Sequence, residues 1–403
     1  MDYCSPGIFL KIPVFVSGPI NREMNTMTEK KYAEQRDDLV NKYMKELKVK
    51  TDDYLNGQLQ LVSAGLVNYL PGIAVEKHEV LFKQILLHKK LSMLEQDDYA
   101  ILDYVETEGV DDALIELLQK KPVVICTFHT GSYRVLNLFL CRHTIPYSLV
   151  VGKEVAEKEG QLFASFYQQL PGNKSNDGFK VIDAEASNCG LQMLRELKKG
   201  RSLLLYIDGN TGAGANTTIN DNACAVDFLN QQLYARKGIA YLAHMAKVPL
   251  LTVASYRKNI ETICLKFFAI IEPDERQGSE EFAVEATQLI YKKLAAIVEQ
   301  YPEQWEGWLY IHKVAHIIHV PLPKQNEEQE LSSQKISFDS TRFGIFKANE
   351  KHFLLKKHAY SFFEISVQLY DVLISCVDTA IDKSCLSADQ LQQLKEEGVI
   401  TYV

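Results

Sequence analysis

His129 closes the apolar run Val123-Val124-Ile125-Cys126-Thr127-Phe128 and is followed by Thr130-Gly131-Ser132-Tyr133-Arg134 and a helical pattern from Val135 to Leu140. The run reads as a buried parallel strand. A histidine at the carboxyl end of such a strand, before a glycine turn and a helix, stands on the ligand-facing rim of an open α/β sheet. An imidazole there can act as a general base on a hydroxyl or amine, because its charge changes near neutrality. The plainer alternative is a strand-end histidine that hydrogen-bonds a neighbouring loop. A second apolar run, Ser202-Leu203-Leu204-Leu205-Tyr206-Ile207, ends in Asp208 and reads as a neighbouring strand of the same layer. Its carboxylate is a candidate partner for the imidazole, although aspartate before Gly209-Asn210 is also a common turn former.

The elements that must position these residues follow from periodicity. Residues 20–118 are helix-rich, with apolar side chains at three- and four-residue spacing through Lys30–Leu47 and Glu79–Leu94. Strand-like runs follow at 122–129, 146–152, 179–184, 202–208, 248–256 and 261–271, with helical patterns at 133–142, 154–169, 187–198 and 236–246 between several of them. Strands alternating with helices indicate an α/β fold with a mostly parallel sheet flanked by helices. The last two strands, separated by Arg257–Ile260, read as an antiparallel hairpin. A helix is expected at 279–300, and the polar segment 323–335 reads as a linker. Residues 336–403 change character: short strands at Ile336–Phe338, Arg342–Ala348 and His352–Lys357, a turn at Asn349-Glu350, then helices at 362–377 and 387–397. This is the pattern of a small α+β, winged-helix-like module. The expected organisation is therefore a helical region (1–120) packed on the core, an α/β domain (121–322), a linker (323–335) and a separable module (336–403).

Composition excludes several classes. A length of 403 residues suggests two or three domains, and 46% hydrophobic with 24% charged residues fits a soluble globular protein. A net charge of -8 argues against a nucleic-acid binder. The eight cysteines form no CxxC pair, which argues against a disulfide scaffold or zinc site and for a reducing cytoplasm. Residues 7–20 are broken by Pro13, Gly18 and Pro19, and 59–74 by Asn68 and Pro71, so neither reads as a targeting signal or membrane span. Membrane association should be peripheral at most.

Across 121–319 the chain resembles the lysophospholipid acyltransferase superfamily, and most of all its branch of late lipid A acyltransferases. His129 stands where that family has its HxxxxD/E motif. Gly200 through Asp208 matches its glycine, apolar strand and strand-end aspartate. Phe228, Lys237-Gly238-Ile239-Ala240-Tyr241-Leu242-Ala243 and Val248-Pro249 match its later segments, and Pro302-Glu303-Gln304-Trp305 with Trp308 resembles its closing segment. The resemblance implies transfer of an acyl group from a thioester donor, acyl-coenzyme A or an acyl-carrier protein, to a hydroxyl or amine, with no cofactor. The histidine would deprotonate the acceptor, and an acidic residue five positions later would orient the imidazole.

Here that acidic position is Arg134, which cannot accept a hydrogen bond from an imidazole and disfavours its protonation. Three explanations are open. Asp208 supplies the carboxylate; or Arg134 binds an acidic substrate group and His129 works unaided; or the site is inactive and kept for binding. An anion-binding role for Arg134, with Ser132 and Tyr133 beside it, and for Arg236 and Lys237 toward donor phosphates, completes the candidate substrate contacts. Lys198, Lys199 and Arg201 read instead as a solvated helix end. The segment 208–222, rich in Gly, Asn and Thr, could serve as a lid. His312, His316 and His319 have helical spacing and read as a surface helix; a metal site would need a further ligand. Residues 336–403 resemble small PqqD-type peptide-recognition modules, which implies a peptide acceptor held by sheet extension. The absent anchor and Arg134 favour a specialised natural-product or peptide-modification pathway. The competing class is a non-catalytic binding protein on an acyltransferase scaffold.

Overall fold

The computed structural model describes residues 29–96, 99–157, 160, 179–209, 222–274, 276–318 and 334–403. The 7–20 segment, most of the 154–169 helix, His319, and nearly all of the 208–222 and 323–335 segments lie outside the described residues.

A seven-stranded sheet forms the centre. Its strands are β1 (Val105–Glu108), β2 (Val124–Thr127), β3 (Tyr147–Val151), β4 (Phe179–Asp183), β5 (Ser202–Tyr206), β8 (Leu250–Arg257) and β9 (Ile263–Phe267), in the order β1-β9-β8-β2-β5-β3-β4. Pairing is parallel except between β8 and β9, the expected hairpin. Strands β2 and β8 are buried along their whole length, as apolar runs covered on both faces must be. The β2–β5 register pairs Thr127 with Tyr206, so His129 and Asp208 each stand two residues beyond that pair on adjacent strands.

Two short elements are invisible to periodicity. β1 is a half-exposed strand of Val-Glu-Thr-Glu that joins the edge of the sheet through β9. A hairpin of β6 (Ala223–Phe228) and β7 (Gln231–Arg236), extended by β10 (Ala315–His316), forms a separate three-stranded sheet. β10 also overturns the surface helix expected for the histidines. His312 lies in a 3-10 turn and His316 in β10, stacked on Tyr234 at 4.8 Å. Burial holds His312 down to about 4, which leaves it uncharged near neutrality.

The N-terminal helices are α1 (Glu29–Asn41), α2 (Asp53–Tyr69) and α3 (His78–Glu95). Asp52 caps α2 by accepting from the Leu55 amide at 2.9 Å. Helix α2 is covered on two sides. A Cβ at Gly65 would lie 3.0 Å from Ile311 and 3.2 Å from Trp308. An adjoining side, through Leu61 and Ala64, meets Phe346, Phe353 and Leu355 of the C-terminal region.

That region contains β11 (Lys335–Phe338), β12 (Phe343–Ala348), β13 (Lys351–Lys356), β14 (Ser361–Ile365), β15 (Ile381–Asp382) and β16 (Ile400–Tyr402), in two three-stranded sheets. Asn349 and Glu350 both take positive φ (50° and 62°), the conformation of a two-residue hairpin turn. The helix expected from 362 starts later, at Val367, because 362–365 belong to β14 and Ser366 caps the helix. A capping box of Ser387 and Gln390 starts the last helix, Ala388–Glu396. Where the C-terminal region meets α2, Asn56 and Asn68 donate to the carbonyls of Ile345 and Lys357 at 3.3 and 3.0 Å. The Lys357 ammonium, almost wholly buried, donates to Ser63 Oγ and the Ser340 carbonyl, both at 2.6 Å. Among the described residues no helix is long and apolar enough to cross a membrane.

Burial lowers Lys357 to about 7. Between that value and its unfolded value, the unfolded chain holds the extra proton, so the Lys357 contribution to stability improves as pH rises. The stability of Lys357→Met relative to wild type should therefore fall between pH ~7 and pH ~10. Urea midpoints of both proteins at the two pH values measure this. An equal difference at both would show that Lys357 does not titrate in that window.

Candidate active site

The turn after β2 is built around Gly131, whose φ is +52° and whose Cβ, were there one, would lie 2.7 Å from Tyr256 Cα. Only glycine fits that approach. The segment 302–308 closes over the turn. Gly131 N donates to the Gln304 carbonyl at 2.9 Å, Thr130 bridges to Trp305, and Glu306 N donates to the His129 carbonyl at 2.9 Å. His129 is thus clamped between its own strand and a segment about 175 positions later in the chain.

Asp208 meets it from β5. The imidazole Nδ1 lies 2.8 Å from Asp208 Oδ1, and the His129 amide donates to both carboxylate oxygens at 3.0 and 3.1 Å. Trp305 Nε1 donates to Oδ2 at 2.8 Å. A carboxylate only accepts, so Nδ1 carries the proton and Nε2 is left with its lone pair. The Asp208 side chain is 2% exposed and the His129 side chain 22%. Tyr133 and Tyr206 pack on the imidazole, with ring centres 4.9 and 5.0 Å away. Burial pushes the Tyr206 phenol up to about 12 and the Tyr133 phenol well above its ordinary value, so both stay protonated. Tyr206 is also fixed by Asn137 Nδ2, which donates to its hydroxyl at 2.9 Å.

The other sequence candidates divide. Arg134 lies half-buried, its guanidinium 4.6 Å from the centre of the Tyr133 ring, a cation–π distance. Arg236 lines a cleft beside Asp208 with Tyr291, Trp305 and Tyr310. Lys237 does not join it, because its ammonium is paired with Glu280. Ser132 is wholly buried and structural: Oγ donates to Glu95 Oε2 at 2.5 Å and accepts from Arg257 Nη2 at 2.6 Å. Lys199 and Arg201, with Lys180, surround the buried Glu196 carboxylate at 3.0–3.5 Å and serve as its counterions rather than as a solvated helix end. Among the described residues no group of three metal-ligating side chains converges.

Four residues stand outside the site candidates of the sequence: Trp305, Glu306, Glu95 and Arg257. Trp305 supplies the indole donor to Asp208; its indole lies directly over Gly307, where a Cβ would sit 2.1 Å from the ring. Glu306 is buried, and its Oε2 lies 3.3 Å from Lys89. Burial works to raise its carboxyl, but Lys89, Arg134 and His129 outweigh burial and hold it below the usual range. Behind the turn, Arg257 pairs with Glu95 where both are almost fully buried, and Tyr32 donates to Glu95 at 2.6 Å. The adjacent residues Trp305-Glu306-Gly307-Trp308 were a visible signal, two aromatics flanking an acid and a glycine. Glu95 and Arg257, 162 positions apart, left none.

With the clamped histidine placed on the rim of the sheet, comparison with known proteins gives the chain its family. Residues 95–313, more than half of the chain, match the family model for bacterial lipid A biosynthesis acyltransferases, and the chain belongs to that family. Among solved structures it is similar to the 1-acyl-sn-glycerophosphate (LPA) acyltransferase PlsC from Thermotoga maritima. The two share 13% sequence identity over 62% of this chain and 97% of that one, with a TM-score of 0.31. A comparison with curated proteins finds no match. Family membership gives this chain acyl transfer as its class of chemistry.

Removing one partner of the Glu95–Arg257 pair strands a buried charge, a loss of about 3–5 kcal/mol. Arg257→Met should therefore lower the thermal midpoint by several degrees or more, whereas Ser132→Ala, which leaves the ion pair in place, should cost less. Differential scanning calorimetry of the two variants checks the order. The reverse order would place the anchor at Ser132.

Proposed function

We propose that this protein moves an acyl group from a thioester donor, acyl-coenzyme A or an acyl-carrier protein, to a hydroxyl or amine, with His129 as general base and Asp208 as its carboxylate. The observation that carries the reading is the 2.8 Å contact between His129 Nδ1 and Asp208 Oδ1. It supplies from a neighbouring strand the carboxylate that the family pattern has five residues after the histidine, where this chain has Arg134. With Nδ1 committed, Nε2 takes the acceptor's proton as its oxygen or nitrogen attacks the thioester carbonyl carbon. The tetrahedral intermediate collapses with cleavage of the C–S bond, and the imidazolium returns the proton to the departing thiolate. Asp208 stabilises the imidazolium while it exists, as a buried carboxylate on a histidine does.

The acceptor side of the reading is a natural-product or peptide-modification substrate in the cytoplasm. Residues 336–403 would form a recognition module beside the 121–322 domain. Support comes from β14, which pairs only with β13 among the described residues and so offers an outer edge for sheet extension. Arg134 and Arg236 would hold anionic substrate groups.

Purified protein should transfer an acyl group from S-acyl-N-acetylcysteamine or acyl-coenzyme A to water or a model amine. His129→Ala should abolish that activity, and Asp208→Asn should lower kcat by about 10²–10⁴. Restoring the family's acid with Arg134→Glu should give no gain, since the carboxylate position is already filled. Wild type and His129→Ala equally inert across both donors would favour the non-catalytic binding protein, the reading that Arg134 suggests.

A further inference from the structure

Helix α3 packs on the closing segment 302–309 and on the turn Lys42–Glu46, and so brings three lysines to the edge of the site. Lys89 reaches Glu306, whose amide is bonded to the His129 carbonyl at 2.9 Å. Lys90 is half-buried. Its ammonium has the Met93 thioether at 3.9 Å as a neighbour, a contact that does little for a cation, and no carboxylate of the described residues within ion-pair distance. Lys42 is exposed and likewise has no such carboxylate. Burial, then Lys89, Lys42 and Arg134, hold the Lys90 ammonium below its ordinary range, with Glu306 the opposing charge.

Like charges gathered at a half-buried position are unfavourable unless something negative joins them. The crowding is notable in a chain whose net charge is -8. Glu306 is one carboxylate and is already engaged by Lys89. A multiply charged oxyanion would satisfy several ammonium groups at once, and point-charge donors on flexible stems suit a phosphate. The three lysines lie outside residues 95–313, the part of the chain that matches the family model.

We propose that Lys42, Lys89 and Lys90 form a subsite for a phosphate-bearing group of a substrate, beside the carbonyl and imidazole of His129. The subsite rests on the acyl-transfer reading for its purpose, but its binding is testable without it. In this arrangement the phosphate is held on α3 while the reacting end of the same molecule lies at Nε2. The phosphate belongs either to a nucleotide-bearing acyl donor or to a phosphorylated acceptor.

Isothermal titration of the full chain with coenzyme A and with glycerol 3-phosphate distinguishes these sources. Wild type should bind at least one, more weakly as salt is raised, and the Lys42→Ala/Lys90→Ala double variant should bind it about tenfold more weakly. Lys90→Arg, which keeps the charge, should restore most of the affinity. Binding of coenzyme A alone assigns the subsite to the donor, and binding of glycerol 3-phosphate alone to the acceptor. If coenzyme A is the ligand, the double variant should raise KM for acyl-coenzyme A about tenfold with kcat unchanged, and leave S-acyl-N-acetylcysteamine unaffected. Absence of binding to both probes in wild type, or equal affinity in a folded double variant, overturns the subsite. Salt-sensitive binding without any transfer activity would keep the subsite and sink the acyl-transfer reading instead.

Discussion

A carboxylate buried at the end of β5 is the constraint on which the site depends. Removed from water, Asp208 must recover its lost solvation from protein donors, or the fold would carry a costly unpaired charge. It receives three: the His129 amide, the His129 ring and the Trp305 indole. Two come from the neighbouring strand end and one from a segment almost a hundred residues later, so satisfying one side chain ties three distant stretches together. The same bonds decide which imidazole nitrogen keeps its proton. The bonds that solvate Asp208 are therefore the same bonds that fix the imidazole's orientation.

A second buried charge acts from behind. Glu95 ends α3 and Arg257 ends β8, and their contact, with Ser132 and Tyr32 bonded into it, holds the turn after His129 against the helical layer. Gln304 completes the arrangement: its side-chain amide both accepts from the Arg257 amide and donates to its carbonyl, at 2.7 and 2.9 Å. The closing segment is thus anchored to β8 on one side and to the histidine turn on the other. Buried polar groups of this kind specify one arrangement, because every alternative leaves one of them unpaired.

What could be read in advance was what the strand periodicity carries. His129 and Asp208 end apolar runs, and two such runs in one parallel layer place their ends on the same rim. Their contact follows from register. The β6–β7 hairpin left no periodic signal because neither Ala-Cys-Ala-Val-Asp-Phe nor Gln-Gln-Leu-Tyr-Ala-Arg alternates apolar with polar residues, and Lys237-Gly238 drew attention to the helix that follows. Ser132, expected beside the substrate, bonds Glu95 and Arg257 instead, and nothing near it in sequence announces either. The three histidines have helical spacing, but the chain there turns and joins β7 instead, where tertiary pairing outweighs local pattern. Glu306 was passed over for the same reason as Ser132: its meaning lies in Lys89 and the His129 carbonyl, both far away in the chain.

The closing segment also sets how the molecule emits light. The chain has two tryptophans, and both lie in that segment, with ring centres 5.0 Å apart. One donates its indole proton to Asp208, and the other donates to the Pro302 carbonyl at 2.8 Å under α2. No tryptophan elsewhere contributes a background. The tryptophan emission, excited to the red of the tyrosines, is consequently a signal from the rim of the sheet alone, and a change in the hydrogen bonding or solvation of Asp208 registers there before any reagent or label is added.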